Sequence, residues 1–197
     1  MGKRIFDILF SILGIIILSP FLLIISLIIL FTSKGGAFYK QTRIGKDSKP
    51  FKLFKFRTMR VGSDKNIRIT IGSRDSRITG VGYFLRKYKL DELPQLFNVL
   101  IGDMSFVGPR PEVPEYVALY DTEQKKVLSV KPGITDFASI VYSEENELLA
   151  NAENPEELYI HRIMPAKLKL NMRYINEMGL ATDMKIIFKT IGKIFRH

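Results

Sequence analysis

The 197-residue sequence contains no cysteine and no tryptophan, and its only histidines are His161 and His197. The absence of cysteine excludes disulfides and thiolate metal sites, and two histidines are too few for a zinc centre of the usual kind. Carboxylates are left as the protein ligands for a divalent ion, and oxygen ligands favour Mg²⁺. The composition therefore narrows metal chemistry to Mg²⁺ held by aspartate or glutamate.

Acidic residues are scarce relative to basic ones: 20 Asp and Glu against 30 Lys and Arg give a formal net charge of +10. Such a surplus indicates an acidic partner, which can be nucleic acid, anionic lipid head groups or a phosphorylated substrate. A membrane-tethered nucleic-acid-binding protein is one interpretation, and it predicts steeply salt-dependent binding to random DNA or RNA. The sequence shows no nucleic-acid-binding motif and no aromatic stacking platform, so we do not expect nucleic acid as a partner.

Charge is absent altogether from residues 8–31. As one helix this run would be about 36 Å long, which exceeds the ~30 Å hydrocarbon core of a bilayer and is too long for a signal peptide. Hydropathy alone favours a plain spanning helix that anchors the chain. Pro20, near the centre, predicts a kink, and the Ser19 hydroxyl can bond a carbonyl that the proline leaves free.

Basic residues stand on both sides of this run: Lys3 and Arg4 before it, Lys34, Lys40 and Arg43 after it. Positive charge marks the cytoplasmic side of a membrane helix. A helix that enters the membrane, breaks at Ser19-Pro20 and returns would place both flanks on that side. The residues leave both alternatives open, with a membrane helix over residues 1–35 and a second, membrane-associated domain over residues 36–197.

Residues 38–43 and 51–59 have the composition of strands, and the turn-forming stretch between them predicts a β-hairpin. Its basic side chains either face water or face lipid head groups. Residues 60–80 are typical of a polar loop and residues 82–89 of a short basic helix. A further helix is expected to begin at Pro94 and to end at Gly102.

The C-terminal half predicts helices over residues 116–130 and 168–177, and a solvated helix over the glutamate-rich residues 143–157. The tail has one basic and one apolar face, composed of Lys185, Lys189, Lys193 and Arg196 and of Ile187, Ile191, Ile194 and Phe195. Such a helix either lies in the membrane interface or packs on the domain. We expect an α+β fold, mainly helical, with interfacial amphipathic helices around a catalytic core.

The sequence has no Walker-A pattern, no GxGxxG and no recognisable catalytic triad. The remaining candidate reactive side chains are concentrated near Asp91-Glu92. Two carboxylates ahead of a helix can simply complement its dipole. An aspartate among basic segments can also ligate Mg²⁺ or attack phosphorus. Arg110 lies between Pro109 and Pro111, and its fork suits a phosphate. The pattern indicates phosphoryl chemistry at a membrane surface.

Four stretches carry a family resemblance: KRIFDILFSILGIIILSP, FKLFKFRTM, LRKYKLDELPQLFNVLIGDMSFVGPRPE and KPGIT. Together they spread over most of residues 3–135. The sequence resembles the small monotopic phosphoglycosyl transferases, bacterial sugar transferases that start glycan assembly on a polyprenol phosphate.

The resemblance implies transfer of a sugar 1-phosphate from a UDP-sugar to undecaprenyl phosphate, with release of UMP. It implies that Asp91 is the nucleophile that forms a covalent phosphosugar intermediate and that it binds Mg²⁺. It implies that Glu92 supports the second half-reaction, as a base or as an orienting or metal-binding residue. Arg110 would bind phosphate, and Arg86 and Lys55 match further basic positions of the site.

The resemblance also implies the location of the protein. Ser19-Pro20 would break a re-entrant helix in the cytoplasmic leaflet of the bacterial inner membrane, with the catalytic domain facing the cytoplasm and anionic lipids as neighbours. The chain is expected to be a minimal catalytic core without the extra N-terminal membrane helices of larger relatives. A homodimer is one alternative for its oligomeric state.

The sequence departs from the common family pattern after KPGIT, where many relatives continue Gly-Trp-Ala-Gln-Val and this chain has DFASI, residues 136–140. The departure leaves the identity of the sugar open. A non-catalytic scaffold of a glycan-assembly complex is a further alternative, and it predicts that Asp91 is dispensable for activity in membranes.

Overall fold

The computed structural model describes residues 2–63, 70–72 and 75–194, and this part of the chain is mostly helical. The α-helices are α1 (Gly2–Thr32), α2 (Gly80–Lys87), α3 (Gln95–Ile101), α4 (Pro114–Val117), α5 (Phe137–Val141), α6 (Glu145–Ala150), α7 (Pro155–Leu158), α8 (Met164–Asn176) and α9 (Leu180–Ile194). The strands are β1 (Phe38–Ile44), β2 (Pro50–Phe56), β3 (Ser105–Val107) and β4 (Gly133–Thr135).

Helix α1 continues through Ser19-Pro20 without leaving the helical conformation. The chain is therefore not unwound at this point, and the expected re-entrant bend at Ser19-Pro20 stays a prediction. The Ser19 hydroxyl donates a hydrogen bond of 2.8 Å to the carbonyl of Ile16. This is the carbonyl that the missing N–H of Pro20 would have bonded, so the predicted role of Ser19 is confirmed.

One stripe of α1 packs along the rest of the protein over the whole length of the helix. Its buried members, Asp7, Ser11, Leu22, Ile25 and Ile29, recur at helical spacing. The remaining faces expose large apolar side chains, among them Leu9, Ile16, Ile17, Leu23, Ile24 and Phe31. By length and composition α1 could cross a membrane, and its most apolar window has a mean hydropathy of 3.0.

Polar contacts tie the beginning of α1 to the domain. Lys3 forms an ion pair with Asp183. Arg4 donates to the carbonyls of Val99 and Leu100 at 2.6 and 2.8 Å. These carbonyls belong to the last turn of α3, where helix geometry leaves them without partners.

Further contacts secure both ends of α1. The carboxylate of Asp7 accepts hydrogen bonds from the Ser105 hydroxyl and the Phe106 amide, at 3.0 and 3.2 Å. Just beyond the other end of the helix, Arg57 donates to the carbonyls of Ser33 and Gly36. The two ends of α1 therefore contact the same domain.

The β-hairpin is confirmed, with β1 and β2 antiparallel and Phe38 opposite Phe56. A second, parallel pair of β3 and β4 was not predicted, because strands of three residues are too short to show a periodic pattern. This pair needs a close backbone approach: a Cβ at Gly133 would lie 2.1 Å from the amide nitrogen of Gly108.

Three expected helices differ from those observed. Residues 116–130 are not one helix: α4 ends at Val117, and a 3₁₀ turn, Gln124–Ser129, follows after an interval. The glutamate-rich residues 143–157 form two short helices, α6 and α7, and Leu149 of α6 is buried. Helix α8 begins at Met164, ahead of the expected start, and follows a π-helical turn.

The tail helix exists as α9, and it packs on the domain through Asp183, Ile186 and Ile187. Phe188 and Ile191 remain exposed. Phe195 and Arg196 lie outside the described residues, as does the side chain of Ile194. A position of α9 in the membrane interface stays a prediction, and so does the division at residue 35.

Candidate active site

A cavity of about 1490 Å³ lies between the hairpin, α2, the turn before α3, the loop after β3, and helices α5 and α6. All five residues expected at the reaction centre line it: Lys55, Arg86, Asp91, Glu92 and Arg110. The structure therefore brings together side chains from four separate segments of the chain. Ser19 and Pro20 lie in α1 and are not among its lining residues.

Asp91 and Glu92 lie on a 3₁₀ turn, Leu90–Glu92, that directly precedes α3. The turn follows Lys89, whose backbone is left-handed with φ of 55°. Residues three apart share one side of a 3₁₀ turn, and here Leu90 and Leu93 pack into the apolar cluster against α1. This packing leaves the two carboxylates on the cavity side.

Glu92 is held between two cations. Its carboxylate accepts from both terminal nitrogens of Arg110, with 3.2 Å between Nη1 and Oε2, and from Nζ of Lys55 at 2.9 Å. Burial opposes ionisation of Glu92, but the charges and hydrogen bonds of Arg110 and Lys55 outweigh it and hold its pKa well below the usual value. The lowered pKa favours the ionised form of Glu92 and makes it a poor base.

Asp91 has the opposite environment. Asp91 is 6% exposed, and among the described residues no hydrogen bond joins its carboxylate to another side chain. Burial and, to a lesser degree, the negative charge of Glu92 raise its pKa, although Lys55 and Arg86 oppose the shift. Adjacent carboxylates whose pKa values are pushed apart are typical of different roles in a reaction.

The other two expected basic residues are held differently: Arg86 by neutral hydroxyls, and Lys55 by Glu92. Arg86 donates to the hydroxyls of Thr58 and Thr70 at 2.8 and 3.0 Å. Burial lowers the pKa of Lys55, although Glu92 acts in the other direction. The cavity wall near Asp91 is therefore cationic and suits the phosphates of a nucleotide.

Arg110 follows β3 in the Pro109-Arg110-Pro111 loop. The charge of Glu92 raises the pKa of Arg110, so this side chain stays cationic. Its terminal nitrogens contact Glu92, a partner that sequence reasoning did not identify. Its binding of phosphate stays a prediction.

Two further contributions to the site were missed. Asp136 accepts from the Arg110 amide, and the sequence marks it only as a departure from a family pattern. The glutamate-rich segment was expected in solvent, but its residues Glu145, Asn146 and Leu149 are among those that line the cavity. Neither contribution has a local signal, because both depend on contacts between distant segments.

The donor set fits one kind of metal site. Among the described residues there is no group of three or more side chains that could hold a metal ion by themselves. Mg²⁺ in phosphoryl-transfer sites is commonly held by one or two carboxylates together with substrate phosphates. Asp91 fits this requirement, whereas the oxygens of Glu92 already face Arg110 and Lys55.

Comparison with known proteins shows the family of this chain. The family model described as "Bacterial sugar transferase" matches residues 1–197. The chain is 39% identical over 196 residues to a UDP-glucose:undecaprenyl-phosphate glucose-1-phosphate transferase of Klebsiella pneumoniae. The aligned residues are 98% of this chain and 40% of that enzyme.

Two shorter relatives are covered more fully. The chain is 38% identical over 156 residues to a protein of Bacillus subtilis named as a putative undecaprenyl-phosphate N-acetylgalactosaminyl 1-phosphate transferase, covering 79% of this chain and 82% of that protein. It is 35% identical over 209 residues to the exopolysaccharide production protein ExoY of Sinorhizobium fredii, covering 98% and 85%. The resemblance drawn from the motifs is confirmed, and the chain belongs to the bacterial sugar transferase family.

Proposed function

We propose that this protein transfers a sugar 1-phosphate from a UDP-sugar to undecaprenyl phosphate and releases UMP, as an initiating step of glycan assembly. The observation that carries the proposal is the contrast between Asp91, buried without a hydrogen-bonding partner among the described side chains, and the cationic wall around it. The names of the relatives support both substrates.

In the first step, a carboxylate oxygen of Asp91 attacks the sugar-linked phosphorus of the UDP-sugar. A bond forms between Asp91 and phosphorus, and the bond from that phosphorus to the bridging oxygen of UMP breaks. Arg86 and Lys55 lie where they can bind the charged diphosphate. Mg²⁺, when bound by Asp91 and the diphosphate, would neutralise the charge that develops on the leaving UMP.

In the second step, a phosphate oxygen of undecaprenyl phosphate attacks the same phosphorus and releases the Asp91 carboxylate. Polyprenol diphosphate sugar is the product. We assign to Glu92 the task of holding Arg110 and Lys55 beside the reacting phosphates. The lowered pKa of Glu92 supports this role over that of a base.

The test is UMP release by the detergent-solubilised protein with Mg²⁺, undecaprenyl phosphate and a panel of UDP-sugars. Release with one donor, with formation of the lipid-linked sugar, is the expected result and identifies that donor. With the donor but no lipid, about one UMP per protein should be released and the protein should gain the mass of a phosphosugar. Silence with every donor in a folded protein would contradict the proposal.

We also propose that α1 re-enters the cytoplasmic leaflet and does not span the bilayer. The contacts at both ends support this: Lys3 and Arg4 bind the domain at one end, and Arg57 holds the residues after the other. A straight helix of this length would extend about 46 Å. If α1 crossed the bilayer, its ends would lie on opposite sides, and one domain could not keep both sets of polar contacts in water.

Cysteine labelling tests this topology, and the cysteine-free chain permits single-cysteine variants directly. We expect Gly2→Cys and Lys34→Cys, both exposed positions, to react with a membrane-impermeant maleimide only after spheroplasts are lysed. Lys46→Cys in the exposed hairpin turn is the matched control for a cytoplasmic position. Labelling of Gly2→Cys in intact spheroplasts, with Lys34→Cys protected, would establish a spanning helix instead.

A further inference from the structure

Asp136 is the most completely buried carboxylate near the proposed reaction centre, with an exposure of 0%. It directly follows β4 and is the N-cap of α5. Its Oδ1 accepts from the amide of Ser139 at 2.5 Å, which is a common capping contact. Its Oδ2 accepts from the amide of Arg110 at 3.2 Å, which capping of α5 does not require.

The second contact is important because of the residues around Arg110. Pro109 and Pro111 have no amide hydrogen, so the Arg110 N–H is the only backbone donor of the three-residue loop. Asp136 accepts it. The start of the loop is fixed separately, since the Gly133 amide donates to the carbonyl of Pro109 at 3.0 Å. The end of the loop is held by Arg43, which donates to the carbonyl of Pro111 at 3.1 Å. Asp136 therefore binds the one amide between these two held carbonyls.

The charge of Asp136 points to the same role. A buried carboxylate is costly unless hydrogen bonds and an opposite charge compensate for it. Here two amides bind the carboxylate, and the negative charge of Asp136 adds to that of Glu92 in raising the pKa of the Arg110 guanidinium. From Arg110 the contacts continue to Glu92, next to Asp91 in the chain.

We propose that Asp136 is a positioning residue: it holds the Pro109-Arg110-Pro111 loop so that the Arg110 fork meets Glu92 beside the nucleophile. This inference rests on the proposed function, in which that arrangement serves attack by Asp91. Asp136 itself contacts no reacting atom and acts only through Arg110.

Asp136→Asn is the informative substitution. Asparagine keeps an oxygen that can cap α5, but it presents an NH₂ group to the Arg110 N–H and removes the charge. We expect the rate of UMP release in the first half-reaction to fall by about 10- to 100-fold, as for a small misplacement of a catalytic group. Asp121→Asn is the matched control, because Asp121 makes the same contact to an amide three residues on but is exposed and has no ion pair with an arginine of the described residues.

The Arg110→Ala background distinguishes an effect of Asp136 on the position of Arg110 from a general loss of folding or stability. If Asp136 acts through Arg110, Asp136→Asn should change the rate by less than about 2-fold in the Arg110→Ala background. An equal loss in both backgrounds would overturn the proposal, and so would a wild-type rate in Asp136→Asn. Asp136→Ser, which also retains a cap, replaces the asparagine variant if that one does not fold.

Amide hydrogen exchange provides a readout that needs no activity. The peptide that contains Arg110 should exchange faster in Asp136→Asn than in wild type or Asp121→Asn, while the peptide of α8 stays unchanged. If wild type releases no UMP with any donor, the proposed function fails and this comparison alone decides the positioning role. Unchanged exchange at Arg110 would overturn it.

Discussion

Asp91→Asn is expected to reduce UMP release by at least about 1,000-fold, the scale typical of removing a nucleophile. The amide has nearly the same shape as the carboxylate but cannot form the acyl phosphate. The variant should therefore release no stoichiometric UMP in the absence of lipid and should gain no phosphosugar mass. Rapid-quench measurement of UMP together with intact-protein mass spectrometry checks both expectations.

Asp47→Asn is the matched control for this substitution. Asp47 lies in the exposed hairpin turn with φ of 56°, a conformation that asparagine tolerates well. The Asp47→Asn variant should therefore release UMP at the wild-type rate. Substantial UMP release and mass gain in Asp91→Asn would show that another group is the nucleophile. Transfer without any covalent intermediate in wild type would indicate direct attack by the lipid phosphate.

Glu92→Gln should have the second largest effect, and it distinguishes two roles for this residue. If Glu92 is a base for the lipid phosphate, the first half-reaction should remain intact and only transfer to lipid should fail. If Glu92 holds Arg110 and Lys55, both half-reactions should slow. We expect the second result, with a loss of about 100-fold in each, because removal of the anion leaves two cations facing each other.

Stability provides an additional readout for Glu92→Gln. Breaking a buried ion pair is strongly destabilising, but the Arg110 side chain is 35% exposed and water compensates for part of the loss. We therefore expect the free energy of unfolding to fall by about 1–3 kcal/mol. Glu177→Gln, which breaks an exposed pair with Arg173, should change neither activity nor stability appreciably. If Glu92→Gln released UMP in the absence of lipid as fast as wild type, the proposed role of Glu92 in holding Arg110 and Lys55 would be contradicted.

The features that sequence reasoning identified share one property: each is carried by residues close together in the chain. The apolar stretch that forms α1, the serine beside Pro20, the hairpin and the Gly102 end of α3 all follow from local composition or backbone preference. Asp91, Glu92 and Arg110 were also singled out locally, through adjacent carboxylates among basic segments and a proline-flanked arginine, and the family resemblance supplied their expected roles.

The features that were missed join residues far apart. Arg4 binds carbonyls 95 and 96 positions away, and Asp7 binds groups 98 and 99 positions away. Three-residue β3 and β4 pair across the chain, and two helices replace the single one expected at residues 143–157. Short elements of this kind are decided by tertiary packing and carry no periodic signal of their own.

The sequence by itself determined the family and the apolar character of α1 and predicted the reactive residues, because these depend on side-chain chemistry and local spacing. Only the folded structure decided that Arg110 and Lys55 bind Glu92, that Asp91 has no such partner among the described side chains, and that the Arg110 amide donates to Asp136. The physical reason is that a pKa and a hydrogen bond depend on distance in space, and the two cations that bind Glu92 lie 18 and 37 positions away in the chain.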